Sequence, residues 1–147
     1  MAYRIVPTSD ISLVKSLDVI VMHDAADKWP SKKDTFWLVR DSAGEPVGYC
    51  SVRPAMYSPK EHAFLSRVGI LPTHRGLGLQ RRMIRVRLAW ARRRGFTHAV
   101  TYAHVTNTAS LRNLIREGFL PFLPGMRGDP EPEAWAGWDS LYLEKVL

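Results

Sequence analysis

Apolar positions follow two different periods along this chain, and these periods predict its strands and helices. Runs rich in β-branched and aromatic residues predict strands at six places. These predicted strands are residues 2–7, 35–40, 46–53, 62–71, 97–105 and 139–147. Between the second and the third, Asp41-Ser42-Ala43-Gly44 is typical of a hairpin turn.

Three segments place apolar residues at helical spacing. The first contains Ile11, Val14, Leu17 and Val21. The second covers residues 80–94 before Gly95, and the third runs from a cap at Thr106 or Asn107 to residue 117. Residues 121–132 hold four of the ten prolines and predict an irregular loop. The order β–α–β–β–β–α–β–α–β predicts an α/β sandwich with a mixed sheet, rather than an all-parallel doubly wound sheet.

Length and composition limit the class of protein. With 147 residues, 46% of them hydrophobic, the chain is predicted to form one domain, residues 1–147, with a buried core. We expect no membrane span and no secretory leader. The single cysteine, Cys50, lies in an apolar run, so we expect a buried small hydrophobe and a cytoplasmic protein. The scattered histidines predict no metal site.

The formal net charge of +7 is concentrated in the second helix. Between residues 80 and 94 there are seven arginines and no acid. A projection at roughly 100° per residue groups five of them on a basic face, which comprises Arg81, Arg82, Arg85, Arg92 and Arg93. This face is a solvated surface, a phosphate contact at its N-terminal end, or a surface that steers an acidic partner such as RNA. Arg87 falls among apolar neighbours and is expected to snorkel or to pair with an acid.

Residues 68–84 combine a short apolar run, a glycine-bearing turn and the start of the arginine-rich helix. Gly76 and Gly78 allow a sharp turn and remove side chains that would keep an anion away. The first N–H groups of a helix have no intrahelical partner, so with the helix dipole they form a receptor for phosphate or pyrophosphate. The turn lacks the Gly-Lys-Ser/Thr ending of a P-loop and the third glycine of a dinucleotide fingerprint.

Two motifs resemble the GNAT superfamily of N-acetyltransferases. Arg-x-x-Gly-x at Arg75 to Leu79 is similar to the family's acetyl-CoA pyrophosphate loop, except that Gln80 stands where the family has glycine or alanine. Residues 107–119, which begin with Asn107 and end in Gly-Phe, resemble the family's second motif. The order of elements is similar to the family fold from end to end. The resemblance implies an α/β fold of the GNAT type, with a mixed central sheet of about six to seven strands and helices on both faces.

The resemblance also implies acetyl-CoA, or a related acyl-CoA, as the cosubstrate. Parting of the fourth and fifth strands would let the backbone of Val68, Gly69 and Ile70 bond the pantetheine arm like an added strand. Consecutive loop N–H groups would hold the pyrophosphate, namely those of Arg75, Gly76, Leu77, Gly78, Leu79, Gln80 and Arg81. Asn107 would contact the pantetheine or shape its channel, with Ser110 nearby, and Asn107 can also cap its helix.

The side chains that relatives use for proton transfer differ here. Relatives that acetylate protein N-termini often have a glutamate base five residues before the asparagine, and this chain has Tyr102 there. Many have a tyrosine acid seven residues after it, and this chain has Leu114. The predicted catalytic residues are therefore Tyr102, as proton donor to the thiolate, and His104, as a base.

Each of these two residues also has a structural interpretation, as a packed tyrosine and a hydrogen-bonded surface histidine. The weaker catalytic candidates are Glu61, His62, Ser66 and Tyr142. The N–H of Val68 or Ile70 is the expected donor to the thioester carbonyl.

In the family fold, the acceptor lies between the first helical region and the last strands. Here those segments supply an acidic and aromatic rim suited to a cationic amine, namely His23, Asp24, Asp27, Trp29, Asp129, Glu131, Glu133, Trp135 and Trp138. The alternative is a solvated loop whose tryptophans pack locally.

The leading hypothesis is an acetyl-CoA-dependent N-acetyltransferase that acts on a primary amine of a small molecule or a polypeptide. One alternative is an RNA-directed enzyme that recruits aminoacyl-tRNA through the basic face. Another is a non-catalytic acyl-CoA-binding module, because the usual glutamate and tyrosine are missing. We expect no membrane partner, nucleic acid is the less favoured partner, and a homodimer is left open.

Overall fold

The computed structural model describes residues 2–22, 32–55, 61–123 and 139–147. Within these ranges the chain forms seven strands and three α-helices. They are β1 (Arg4–Thr8), α1 (Ile11–Met22), β2 (Thr35–Arg40), β3 (Pro46–Pro54), β4 (His62–Ile70), α2 (Leu79–Arg93), β5 (His98–His104), α3 (Thr108–Arg116), β6 (Leu120–Phe122) and β7 (Ser140–Val146). A 3₁₀ turn at Pro72–His74 lies between β4 and α2.

The described strands form one sheet in the order β1-β2-β3-β4-β5-β7-β6. β4 and β5 are parallel, and the other neighbouring pairs are antiparallel. Tyr49 and Cys50, adjacent on β3, belong to different core clusters because successive strand residues point to opposite faces. α1 covers the face of Tyr49, and α2 and α3 cover the face of Cys50. The predicted fold class, a mixed sheet with helices on both faces, is confirmed.

Apart from the end of the first helix, which coincides with the limit of a described range, the predicted elements begin and end within about two residues of the observed ones. The exception is β6, a strand that the sequence pattern did not predict. It is only three residues long and contains Pro121, which interrupts the pattern. Proline is tolerated there because β6 lies at the edge of the sheet formed by the described strands, where it pairs with β7. The predicted irregular loop therefore begins later than residue 121, and its residues 124–132 lie outside the described ranges.

Two expectations from composition can be compared with the described residues. Cys50 is fully buried, as predicted, and burial raises the pKa of its thiol to about 11. Among the helices of the described ranges, none has the length and apolar character needed to cross a membrane.

Candidate functional site

The central feature of the site is the separation of β4 from β5. These strands pair at only three positions, His62 with His98, Ala63 with Ala99 and Phe64 with Val100. β4 then continues along β3 to Ile70, while β5 continues along β7 to His104. The point of separation, which we call the fork, is bridged by Thr101 Oγ1, which donates to the Leu65 carbonyl at 2.9 Å. Beyond the fork, residues 66–70 have no pairing partner on β5, and we call the region between the two separating strands the cleft.

A β-bulge lies on β4 just beyond the fork. Cys50 pairs with Val68 and Val52 pairs with Leu65, so Ser51 faces two β4 residues instead of one. Two polar groups of Ser51 make contacts at the bulge: its Oγ accepts the Arg67 N–H at 3.1 Å, and its carbonyl accepts from Arg87 Nη1 at 3.3 Å. These contacts stabilise the bulge from both sides of the sheet.

Arg87 corrects an expectation from the sequence. It neither snorkels to solvent nor pairs with a described acid, because the residue is 2% exposed and its partners among the described residues are carbonyl oxygens. Besides Ser51, it bonds the carbonyl of Met83 one turn earlier in α2, at 3.2 Å. Burial lowers the pKa of its guanidinium. The physical reason for the error is the bulge, which exposes a carbonyl that a buried donor can satisfy.

The glycine-bearing turn connects β4 to α2 and is held at both ends. Arg75 Nε donates to the carbonyl of Ile70 at 3.0 Å, and His74 Nδ1 lies 2.8 Å from the hydroxyl of Tyr3. Gly76 and Gly78 have φ values of +78° and +77°, in the left-handed region where glycine is favoured. The α2 helix then begins at Leu79, whose buried side chain fixes its first turn in the core.

The turn presents a run of amides suited to an anion. None of the described residues accepts a hydrogen bond from the N–H groups of residues 76–81, and the first helical bond is from Arg82 N–H to the Gly78 carbonyl at 3.3 Å. A Cβ added at Gly76 or Gly78 would meet no atom within 4 Å, so the space beside the turn is open. These amides and the positive end of the α2 dipole could hold a pyrophosphate.

Gln80 connects the start of α2 to α3. Its Nε2 donates to Ser110 Oγ at 3.0 Å, and its Oε1 accepts from Asn113 Nδ2 at 2.9 Å. Asn107 caps α3, since its Oδ1 accepts the N–H of Ser110 at 3.2 Å. The longer side chain at position 80 is therefore directed to α3, and only its backbone N–H is available to an anion at the turn.

The predicted basic face is partly neutralised within the molecule. Arg81 Nε lies 2.8 Å from Glu117 Oε1, and Arg85 bonds both carboxylate oxygens of Glu117 at 3.0–3.1 Å. The hydrogen bond from Arg85, followed by that from Arg81, lowers the pKa of the Glu117 carboxyl. Two of the five arginines on this face are thus committed to joining α2 to the end of α3.

The two predicted catalytic residues lie on β5 beyond the fork. Tyr102 is half-buried, with its ring centroid 5.7 Å from that of Phe64 and 5.9 Å from that of Tyr142. His104 is exposed; its Nδ1 lies 2.6 Å from Thr106 Oγ1 and accepts the Thr106 N–H at 3.2 Å. Its Nε2 lies 3.9 Å from a carboxylate oxygen of Asp139. Strand alternation places Tyr102 and His104 on the same face of the sheet.

The other candidates from the sequence are dispersed. His62 is buried, with its ring 4.5 Å from that of His98 at the start of the parallel pair, and Glu61 is exposed just before it. Every residue of the predicted acceptor rim lies outside the described ranges. The described residues contain no group of three or more histidine, cysteine or acidic side chains placed to bind a metal.

Sequence reasoning missed Asp34 and Ser51. Ser66, a weak candidate, donates to Asp34 Oδ1 at 3.0 Å and lies 2.6 Å from Ser51 Oγ. The contact between Ser66 and Asp34 joins residues 32 positions apart, so no local spacing could have indicated it.

Known proteins share both the sequence pattern and the fold. The sequence model of the Acetyltransferase (GNAT) family matches residues 11–119. A search of curated proteins finds no match to the chain.

Solved structures align over nearly the whole chain. A Klebsiella pneumoniae protein is 24% identical, with 99% of this chain and 97% of the other aligned, at a TM-score of 0.70. A Bacillus subtilis acetyltransferase in complex with CoA is 12% identical over 99% of both chains, at a TM-score of 0.76. A GNAT family acetyltransferase from Elizabethkingia anophelis with acetyl-CoA bound is 13% identical over 99% and 98% of the chains, at a TM-score of 0.73. At these identities, the structural matches establish a common fold.

Proposed function

The chain belongs to the GNAT family of acetyltransferases, and from this premise we propose that it transfers an acetyl group directly from acetyl-CoA to a primary amine. The acceptor is a small molecule or a polypeptide. The observation that carries the proposal is the run of amides at residues 76–81, which lack described partners and adjoin the cleft beyond the fork. An anion receptor beside an unpaired strand edge matches CoA, because its pyrophosphate is an anion and its pantetheine arm can pair with a strand.

The residues present fit acetyl-CoA as a substrate. In this proposal the N–H groups of residues 76–81 hold the pyrophosphate, where the two glycines leave open space, whereas the predicted N–H of Arg75 is already bonded to the Pro72 carbonyl at 3.4 Å. The backbone of Val68, Gly69 and Ile70 pairs with the pantetheine arm along the free side of β4. Asn107 and Ser110, at the start of α3, border the same region.

The chemistry needs a neutral amine, a polarised carbonyl and a proton for the departing thiolate. The N–H of Val68 or Ile70 polarises the thioester carbonyl, and Tyr102 donates the proton to the thiolate. The contacts of His104 Nδ1 with Thr106 occupy one of its two ring nitrogens, which favours Tyr102 over His104 as the residue that acts in the reaction.

The commitment of Arg81 and Arg85 to Glu117 counts against the RNA-directed alternative, because it reduces the positive charge available to a polyanion. A thiol-release assay with acetyl-CoA tests the proposal across alkylamines, polyamines, peptides and charged tRNA, with CoA binding measured separately by calorimetry. We expect salt-resistant turnover of at least one amine or peptide. CoA binding without turnover of any acceptor would indicate the non-catalytic module, and absence of CoA binding would overturn the proposal altogether.

A further inference from the structure

A chain of polar groups lies on β4 immediately beyond the fork. The Arg67 N–H donates to Ser51 Oγ at 3.1 Å, Ser51 Oγ lies 2.6 Å from Ser66 Oγ, and Ser66 Oγ donates to Asp34 Oδ1 at 3.0 Å. This series of hydrogen-bonded groups therefore runs from the bulge to the carboxylate of Asp34, which directly precedes β2. None of these contacts is needed to hold CoA in the arrangement described above.

The chemistry of the carboxylate end and the contact distances fix the direction of the hydrogen bonds. Ser66 Oγ donates to the Asp34 carboxylate, so its own proton points toward Asp34, and Ser51 Oγ, which also lies 3.4 Å from the Arg67 carbonyl, donates over the shorter 2.6 Å contact to Ser66. Ser51 then donates to Ser66, and Ser66 donates to Asp34. A hydroxyl oxygen can accept two hydrogen bonds, so Ser66 Oγ keeps capacity for one more N–H donor.

Burial and charge distinguish the two ends of this chain. The Asp34 side chain is 0% exposed, whereas Ser66 is half-buried, so an amine can reach Ser66 more readily than Asp34. Arg53 Nη1 lies 3.7 Å from Asp34 Oδ2. Charged side chains around the chain include Arg53 from β3, Arg67 from β4 and Asp18 from α1, which Arg67 Nε contacts at 3.0 Å.

Ser66 also stands at the right depth of the cleft. An arm that enters from the turn at residues 75–81 and follows β4 covers about 13 Å between residues 70 and 66, at roughly 3.3 Å per residue. At residue 66 the strands converge toward the fork, where Thr101 and Leu65 close the gap. The acyl end of the arm therefore reaches the neighbourhood of Ser66.

We propose that Ser66 and Asp34 form a proton relay, in which Ser66 accepts a proton from the acceptor amine and Asp34 receives the proton of Ser66. The relay rests on the proposed function and deepens it. The ammonium N–H transfers its proton to Ser66 Oγ as the Ser66 proton moves to Asp34 Oδ1, which leaves a neutral amine and a carboxylic acid. The nitrogen lone pair then forms the C–N bond, and the C–S bond breaks with its electron pair on sulfur. The second amine proton passes to the thiolate, directly or through Tyr102, and Asp34 returns its proton to water through Ser66.

The test compares two small amines that differ mainly in basicity. Ethylamine is protonated near neutral pH and needs the relay, whereas trifluoroethylamine is largely neutral and does not. For Ser66→Ala and Asp34→Asn, we expect kcat/KM for ethylamine near neutral pH to fall about 100-fold, within the usual range for a lost general base. The loss with trifluoroethylamine is expected to be below about tenfold, and calorimetric CoA affinity is expected to stay within about twofold.

Asp18→Asn is the matched control, because it also removes a buried carboxylate beside Arg67 but has no contact with Ser66 among the described bonds. We expect it to lower the thermal midpoint and to affect both amines equally. Equal losses for both amines in Ser66→Ala and Asp34→Asn would assign these residues a structural role and overturn the relay alone. Wild-type protein that turns over neither these amines nor any other acceptor would overturn the proposed function, and the relay with it.

Discussion

Gly78 provides a direct test of the pyrophosphate site, because the chain contains matched glycines elsewhere. In Gly78→Val the added Cβ meets no atom within 4 Å, so the substitution acts through the backbone, whose φ is +77°. A left-handed conformation costs a residue with a side chain about 1–2 kcal/mol. For a chain of this size, that corresponds to a thermal midpoint lower by roughly 2–8 °C. The fold should therefore survive.

The effect on CoA should exceed the effect on stability. Relaxation of the strained turn redirects the amides of Gly78 and Leu79, and a hydrogen bond to a charged group contributes about 1.5–3 kcal/mol. Loss of one such bond weakens binding roughly ten- to hundredfold. Isothermal titration calorimetry with CoA measures this loss. Pantetheine, which lacks the pyrophosphate, should bind the variant and the wild type equally.

Gly44→Val and Gly95→Val are the controls. Gly44, between β2 and β3, has a φ of +83°, and Gly95, after α2, has a φ of +81°; an added Cβ meets no atom within 4 Å at either position. Both variants should lose about the same stability as Gly78→Val and keep wild-type affinity for CoA. Unchanged CoA affinity in Gly78→Val, or an equal loss in either control, would refute the assignment of the turn.

Three further predictions concern single side chains. Arg85 and Arg81 lower the pKa of Glu117 below its ordinary 4.5, so its ionised form stabilises the fold above that value and this stabilisation is lost as the pH falls through the folded pKa. Thermal melts of Glu117→Gln should therefore differ from wild type at neutral pH and converge in acid, and a constant difference would contradict the ion pair. With a thiol pKa of about 11, Cys50 should resist a disulfide reagent near pH 8 until the chain unfolds, since roughly one thiol in a thousand is then ionised; rapid labelling of folded protein would contradict its burial. Tyr102→Phe should lower kcat for acetyl transfer about ten- to hundredfold without changing KM for acetyl-CoA, and an unchanged kcat would remove Tyr102 from the mechanism.

The backbone geometry of the proposed phosphate site could be predicted from sequence because it belongs to one short segment. Two glycines at Gly76 and Gly78, a preceding strand and a following helix determine where the amides lie, whatever surrounds them. Gln80 shows the limit of this reasoning. Its bonds to Ser110 and Asn113 join residues 30 and 33 positions apart. The motif therefore showed only that glutamine replaces a small residue, and it did not indicate that this side chain bonds α3.

The proposed proton relay depends on contacts between distant segments. Asp34 precedes β2, Ser51 lies in β3 and Ser66 in β4, and they meet because the bulge on β4 changes the register by one residue. The bulge has no signature in the hydrophobic pattern, and that pattern places Arg87 among apolar neighbours without indicating that its partners are carbonyl oxygens. The hydrophobic pattern specifies which face of a strand is apolar. Whether a strand accommodates one extra residue as a bulge depends instead on which polar groups can form hydrogen bonds there.

Ser51 links these two sides through one residue. Its carbonyl binds Arg87 of α2, the helix whose first amides form the proposed pyrophosphate site, and its hydroxyl lies against Ser66 of the proposed relay. Arg87 is buried, so a shift of α2 along its axis would break its hydrogen bond to the Ser51 carbonyl. The buried guanidinium and the carbonyl would then both lack this partner, at a substantial cost in free energy. The start of α2 and the hydroxyl of Ser66 are therefore held at a fixed separation. Direct transfer requires a fixed separation because the thioester carbon must lie close to the amine. Binding of the pyrophosphate alone does not set the distance between these two atoms.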